Sequence, residues 1–191
     1  MRADDLYELP SGLPAPENDG AARHLTGLRL PSLALRGTRG GRVDVAALGK
    51  EGRAVLYIYP RTGRPDEPSP PGWNEIPGAR GCTPQACAFR DHYEQLCSLG
   101  AEVFGISTQR SEDQREFAGR VHLPYELLSD ADLELARALR LPAFEVAGMV
   151  LLKRLTLIVR GGIIEHAFYP VFPPDQNAAE VVRWLEAKRR P

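Results

Sequence analysis

Six consecutive apolar and aromatic residues, Ala54-Val55-Leu56-Tyr57-Ile58-Tyr59, run up to Pro60. A short run with no polar face reads as a buried central strand, and proline ends it because it cannot donate to a sheet. The surrounding sequence supplies layers to cover such a strand. Leu33-Ala34-Leu35 and Val43-Asp44-Val45 read as short strands about a Gly-rich turn. Pro84 to Leu99 reads as a helix: Pro84 suits a first turn, and Phe89, Tyr93 and Leu96 mark its buried face before Gly100 stops it. Val103 to Ser107 follows as a strand. Ser111 to Gly119 is then a helix with a Ser111/Gln114 capping box. Leu127-Leu128 is a short strand, and Ser129 or Asp130 opens a helix to about Leu139. Lys153 to Val159 turns at Gly161-Gly162 into Ile163 to Tyr169, and Asn177 caps a last helix from Ala178 to Arg189. Strands alternating with helices and closing on a hairpin predict a layered α/β fold.

The chain has 191 residues, enough for one domain with a full core. A net charge of −1 gives no electrostatic case for nucleic acid or an anionic membrane. No apolar stretch approaches the roughly 20 residues that span a bilayer. The polar, acidic start Met1-Arg2-Ala3-Asp4-Asp5 does not resemble a signal peptide. A cytoplasmic protein is expected, in which a close cysteine pair is catalytic, redox-sensing or metal-binding rather than structural. Residues 1–24, rich in Asp, Glu, Gly and Pro, read as a flexible arm, and 25–191 as the folded domain. Residues 61–80 form a long connection with five prolines and three glycines, and Trp73 is expected to anchor it to the body.

The chemistry concentrates in Gly81-Cys82-Thr83-Pro84-Gln85-Ala86-Cys87. Cys82 stands where a loop enters a helix, and backbone N–H groups there favour a thiolate, the reactive form of cysteine. Cys82, Cys87, His92 and Cys97 recur every five residues. Five residues turn a helix by about 500°, so they cannot converge on one ion, and no metal site is expected. Cys97 is expected on the buried face with Tyr93 and Phe89. Cys87 is expected on a polar, exposed face with Asp91, Glu94 and Ser98. Along an intact helix the Cα atoms of Cys82 and Cys87 would lie about 8–9 Å apart, while a disulfide needs about 4.4–6.8 Å. Cys82 and Cys87 can therefore bond only if the first turns unwind. Arg154, entering the apolar strand Leu155 to Val159, is costly there unless paired, and a thiolate is one partner for it.

These residues resemble the peroxiredoxins, and within them the bacterioferritin-comigratory or Q-type branch. The resemblance is carried by Leu56-Tyr57-Ile58-Tyr59-Pro60, by Gly81 to Cys87 with Phe89-Arg90-Asp91, by Leu127-Leu128-Ser129-Asp130 and by Arg154 to Ile158, and spans about residues 28–188. It implies a thioredoxin fold, a mixed sheet flanked by helices, with an N-terminal hairpin and a long inserted loop before Cys82. It implies thiol-dependent reduction of hydrogen peroxide and organic hydroperoxides with no cofactor. Cys82 matches the peroxidatic cysteine, Cys87 the resolving cysteine and Arg154 the active-site arginine. A Cys82–Cys87 disulfide and a thioredoxin-like reductant follow from the same resemblance, in a monomer or weak homodimer. The chain departs from the family pattern before Cys82, where Glu75 and Ala79 replace a proline and a threonine. An insertion of nearly twenty residues after Pro60 accounts for this; either Thr62 supplies the hydroxyl that orients the peroxide, or a backbone group takes its place, or activity is reduced. Two other functions use the same residues. A peroxide sensor would pass its oxidation to a partner protein. A binding module would leave Cys82 indifferent to peroxide.

Overall fold

The computed structural model describes residues 6–189. The chain runs through β1 (Ala34–Gly37), β2 (Arg42–Asp44), β3 (Arg53–Ile58), α1 (Cys82–Asp91), α2 (Tyr93–Ser98), β4 (Ala101–Ser107), α3 (Ser111–Arg120) and β5 (Glu126–Ser129). It continues through α4 (Glu134–Leu139), β6 (Ala143–Val146), β7 (Met149–Leu152), β8 (Leu155–Arg160), β9 (Ile163–Phe168) and α5 (Asn177–Arg189). Seven strands form one mixed sheet in the order β2-β1-β5-β4-β3-β8-β9, and β6 and β7 pair separately as a hairpin. The apolar run is the centre of the sheet: β3 lies parallel to β4 and antiparallel to β8.

Alternation along β3 builds both cores. Ala54, Leu56 and Ile58 point into one cluster with Leu35, Leu128, Leu135 and Leu157. Val55, Tyr57 and Tyr59 point into the other with Cys82, Phe89, Leu96, Phe117 and Val181. Each face of the strand is thus sealed by a different helical layer, which is why the run carries no polar residue. The layer holding α1 and α5 brings the Cys82 helix onto the sheet.

Several local expectations change. The helix from Pro84 to Leu99 is two helices broken at His92 (φ −97°, ψ 5°). The His92 ring Nδ1 lies 2.9 Å from the Ala88 carbonyl that its own backbone N–H also uses, and such side-chain competition interrupts a helix. Cys97 is exposed rather than in the core. Eight residues beyond Phe89 turn a helix about 80° off the buried stripe, and Leu96 takes the core place instead. Ser111 and Gln114 form no capping box. Gln114 is fully buried and its amide donates to Ser107 Oγ and to the Leu128 carbonyl, tying α3 across β4 and β5. Asp130 does serve the next helix, its carboxylate accepting from the N–H groups of Leu135 and Ala136. Asn177 is not a cap but a buried acceptor, described below. The β6–β7 hairpin went unread because Ala147-Gly148, with φ of 48° and 75°, makes a turn usually signalled by Asn-Gly.

Residues 6–24 lie against the body. Lys153 donates to Asp19 at 2.7 Å, as does the Tyr169 hydroxyl at 2.8 Å, and these bonds hold the Asp19 carboxyl well below the usual range. Ala22 and Leu25 are buried in the core.

Candidate active site

Gly81 precedes α1 with φ 102°, a conformation that favours glycine. A Cβ there would also stand 2.4 Å from Pro174 and 2.7 Å from Leu9, so the position is closed to larger residues. Cys82 is therefore the first residue of α1, and it is buried. Arg154, just before β8, is 3% exposed, and its Nη2 lies 3.2 Å from Cys82 Sγ. The same nitrogen faces the carbonyls of Gly78, Ala79 and Arg80 at 3.1–3.2 Å. Its Nη1 donates to Gln85 Oε1. The arginine that looked costly in an apolar strand is compensated by these partners, of which the sulfur is one.

Gln85 extends the network. Its Nε2 donates to Asn177 Oδ1 at 3.0 Å, and Thr156 Oγ1 donates to the same oxygen at 2.7 Å. One chain of contacts thus joins α1, β8 and the start of α5 behind the sulfur. The sequence reading missed Gln85, Thr156 and Asn177. A lone hydroxyl at Thr156 in the apolar strand Leu155 to Val159 was the available signal.

Thr62 is buried in the wall of the pocket that holds Cys82. Its hydroxyl donates to Gln109 Oε1 at 3.2 Å, and its N–H to the same atom at 2.8 Å. Ala79 offers the site only its carbonyl, which accepts from Arg154 Nη2 at 3.1 Å and from the Cys82 thiol at 3.7 Å. Between these points the 61–80 connection is held by Trp73, buried against Ala79 and Leu151 and tilted over Phe144. Arg61, Arg64 and Arg80 line the pocket with Glu67.

Cys87 is half-buried, not exposed. It packs against the cluster around Tyr57 and Phe89, and this burial pushes its thiol up, with Arg90 and Arg120 acting the other way. The peptide before it is pinned from the sheet side: the Tyr125 hydroxyl donates to the Ala86 carbonyl at 2.7 Å and accepts from Tyr57 at 3.0 Å. Cys82 and Cys87 occupy one continuous ten-residue helix. Helical geometry separates their Cα atoms by about 8–9 Å.

A buried cysteine at a helix start, a guanidinium on its sulfur and a second cysteine five residues on make this a candidate redox thiol site. The redoxin family profile matches residues 25–182. The chain belongs to the redoxin family. Within the family it groups with the Q-type peroxiredoxins, which are thiol-dependent peroxidases. A chloroplastic peroxiredoxin Q of Gentiana triflora is 30% identical over 187 residues, covering 95% of this chain and 78% of that one. Peroxidoxin BcpB of Mycobacterium tuberculosis superposes with a TM-score of 0.69 at 26% identity, over 85% of this chain and 96% of its own. The bacterioferritin comigratory protein of Xanthomonas campestris, known from trapped intermediate and ligand complexes bearing on its alkyl peroxide reduction, shares the fold. Its TM-score is 0.65 at 22% identity, over 85% of this chain and 98% of that one. The sheet and its helical layers are accordingly a thioredoxin fold of the peroxiredoxin kind.

Proposed function

We propose that this peroxiredoxin reduces peroxides through Cys82, resolves the product with Cys87 and is recycled by a thioredoxin-like dithiol. The observation that carries this reading is the 3.2 Å contact of Arg154 Nη2 with Cys82 Sγ beside Thr62 in one pocket. The sulfur attacks the distal peroxide oxygen, an S–O bond forms and the O–O bond breaks. The alkoxide or hydroxide takes up a proton and leaves as alcohol or water. Sulfur is oxidised by two electrons to a sulfenic acid and the peroxide is reduced by two. Arg154 stabilises negative charge on the sulfur and on the oxygens as the bond breaks. The Thr62 hydroxyl orients the peroxide.

Resolution follows by attack of Cys87 sulfur on Cys82 sulfur, expelling the sulfenic oxygen as water. The helical separation of the two Cα atoms demands that the first turns of α1 unwind for this step. Exchange with the donor dithiol restores both thiols. Both cysteines sit on one helix, which suits a cycle completed within one chain, as a monomer or weak dimer, in a reducing compartment such as the cytoplasm.

The test is peroxide consumption with a thioredoxin system, then mass mapping of the oxidised protein. Turnover with a Cys82–Cys87 crosslink is expected. Cys82→Ser should abolish consumption, and Cys87→Ser should permit one turnover without recycling. Undiminished consumption by Cys82→Ser would sink the assignment.

A further inference from the structure

We propose that Arg120 is a positioning residue that sets how large a hydroperoxide can reach Cys82; this rests on the peroxidase reading above. The pocket at Cys82 holds about 30 Å³ of free space. A water-sized molecule needs about 10–15 Å³, so the enclosed space takes the peroxide group itself, and a bulky alkyl group must find its room between the walls at the open mouth. Besides the start of α1, two segments outside the sheet form the walls of the pocket. One is the arm before residue 24, whose Leu6 lines the pocket. The other is the inserted loop, whose Gly63 lies beneath Leu6, with a Leu6 methyl 3.1 Å from where a glycine Cβ would stand.

A single guanidinium ties both segments down. Arg120 Nη1 donates to the Tyr7 hydroxyl at 3.2 Å, and Nη2 donates to the Gly63 carbonyl at 2.8 Å. These points are one residue away from Leu6 and one residue away from Thr62. The guanidinium is itself aimed: its Nε donates to Glu116 at 2.8 Å, and it lies over the Phe117 ring at 5.5 Å. Phe117 is 1% exposed, so α3 is fixed to the core. Arg120 thus ties a core helix to both walls at once, while the loop wall alone is also held by Gln109 on Thr62 and by Asp113 on Arg64. With it removed, the walls part more often and larger hydroperoxides gain entry, while Cys82 and Arg154 keep their places.

The experiment measures the rate of Cys82 oxidation in single turnover, with hydrogen peroxide and with cumene hydroperoxide. Single turnover isolates this step from any effect of Arg120 on Cys87. Native protein is expected to favour hydrogen peroxide. Arg120→Met keeps the alkyl stem over Phe117 and deletes both ties, and should raise the cumene-to-hydrogen-peroxide rate ratio about fivefold or more. Tyr7→Phe deletes only the arm tie and should give a smaller rise in the same direction; it carries the test if Arg120→Met does not fold. An unchanged ratio in these variants, or a native protein that already favours the bulky peroxide, overturns the proposal. Native protein unreactive with both peroxides would instead refute the peroxidase reading.

Discussion

Replacing Tyr125 with phenylalanine probes whether α1 must unwind. The Tyr125 hydroxyl holds the Ala86 carbonyl at 2.7 Å from inside the core, immediately before Cys87. Bringing two Cα atoms from about 8–9 Å to the 4.4–6.8 Å of a disulfide requires the peptides between them to leave their helical positions. Ala86 lies in that interval, so its tie to Tyr125 opposes the opening. A buried hydrogen bond of this kind contributes about 0.5–1.5 kcal/mol net, and its loss should raise the open fraction about two- to twelvefold. The sulfenic acid then waits less time for Cys87, and a second peroxide has less chance to drive it to the irreversible sulfinic state. Two measurements check this. Hydrogen exchange of the α1 amides should accelerate, and the sulfinic fraction per turnover at high peroxide should fall by a similar factor. The variant should also lose about 1–3 kcal/mol of stability, because the buried Tyr57 hydroxyl is left without its acceptor. Faster exchange in α1 without any change in sulfinic acid would refute the link between opening and resolution.

Further outcomes follow from the same geometry. Arg154→Lys cannot reproduce a planar fork reaching Gln85 and Cys82 together, and peroxide oxidation of Cys82 should slow by about 10²-fold in a competition assay. Burial raises the Cys87 thiol, so the folded chain keeps that proton at a pH where the unfolded chain has released it. Its contribution to stability is present below the ordinary thiol pKa and is lost as pH rises through the higher folded value. Alkylation of Cys87 should accordingly titrate at higher pH in folded than in urea-unfolded reduced protein, and equal midpoints would contradict the burial. Trp73→Ala should cost about 3 kcal/mol of local stability and expose the 61–80 segment to limited proteolysis, since Trp73 fills the space against Ala79 and Leu151.

The central strand was legible because burial on both faces leaves an unbroken apolar run in Ala54 to Tyr59. The helix start was equally plain from Gly81, Cys82 and Pro84, since local steric rules govern that turn. The strand that Arg154 enters was readable as an anomaly: a charge beside a largely apolar strand demands partners. The partners themselves were not legible. Gln85, Cys82 and the Gly78–Arg80 carbonyls lie 69 to 76 residues before Arg154 in the chain and meet it only after the sheet assembles. The burial of the two other cysteines was misjudged for a similar reason. A helical wheel assigns faces relative to a straight axis, and it knows neither the break at His92 nor which neighbours close over Cys87. Tyr125 carried no signal of its own, because nothing in a sequence indicates that a hydroxyl will find a helix carbonyl.

The Nη2 nitrogen of Arg154 carries two protons and faces four acceptors, the carbonyls of Gly78, Ala79 and Arg80 and the sulfur of Cys82. At least two of the four are always underserved. An arrangement of this kind has no single preferred pairing to defend, so the guanidinium can be redirected with little loss. An incoming oxygen need only join a contest already unresolved. Because three of the competitors are the closing carbonyls of the inserted loop, any shift of that loop changes how much of the guanidinium the sulfur receives. Loop position and thiol reactivity are in this way read by one and the same nitrogen.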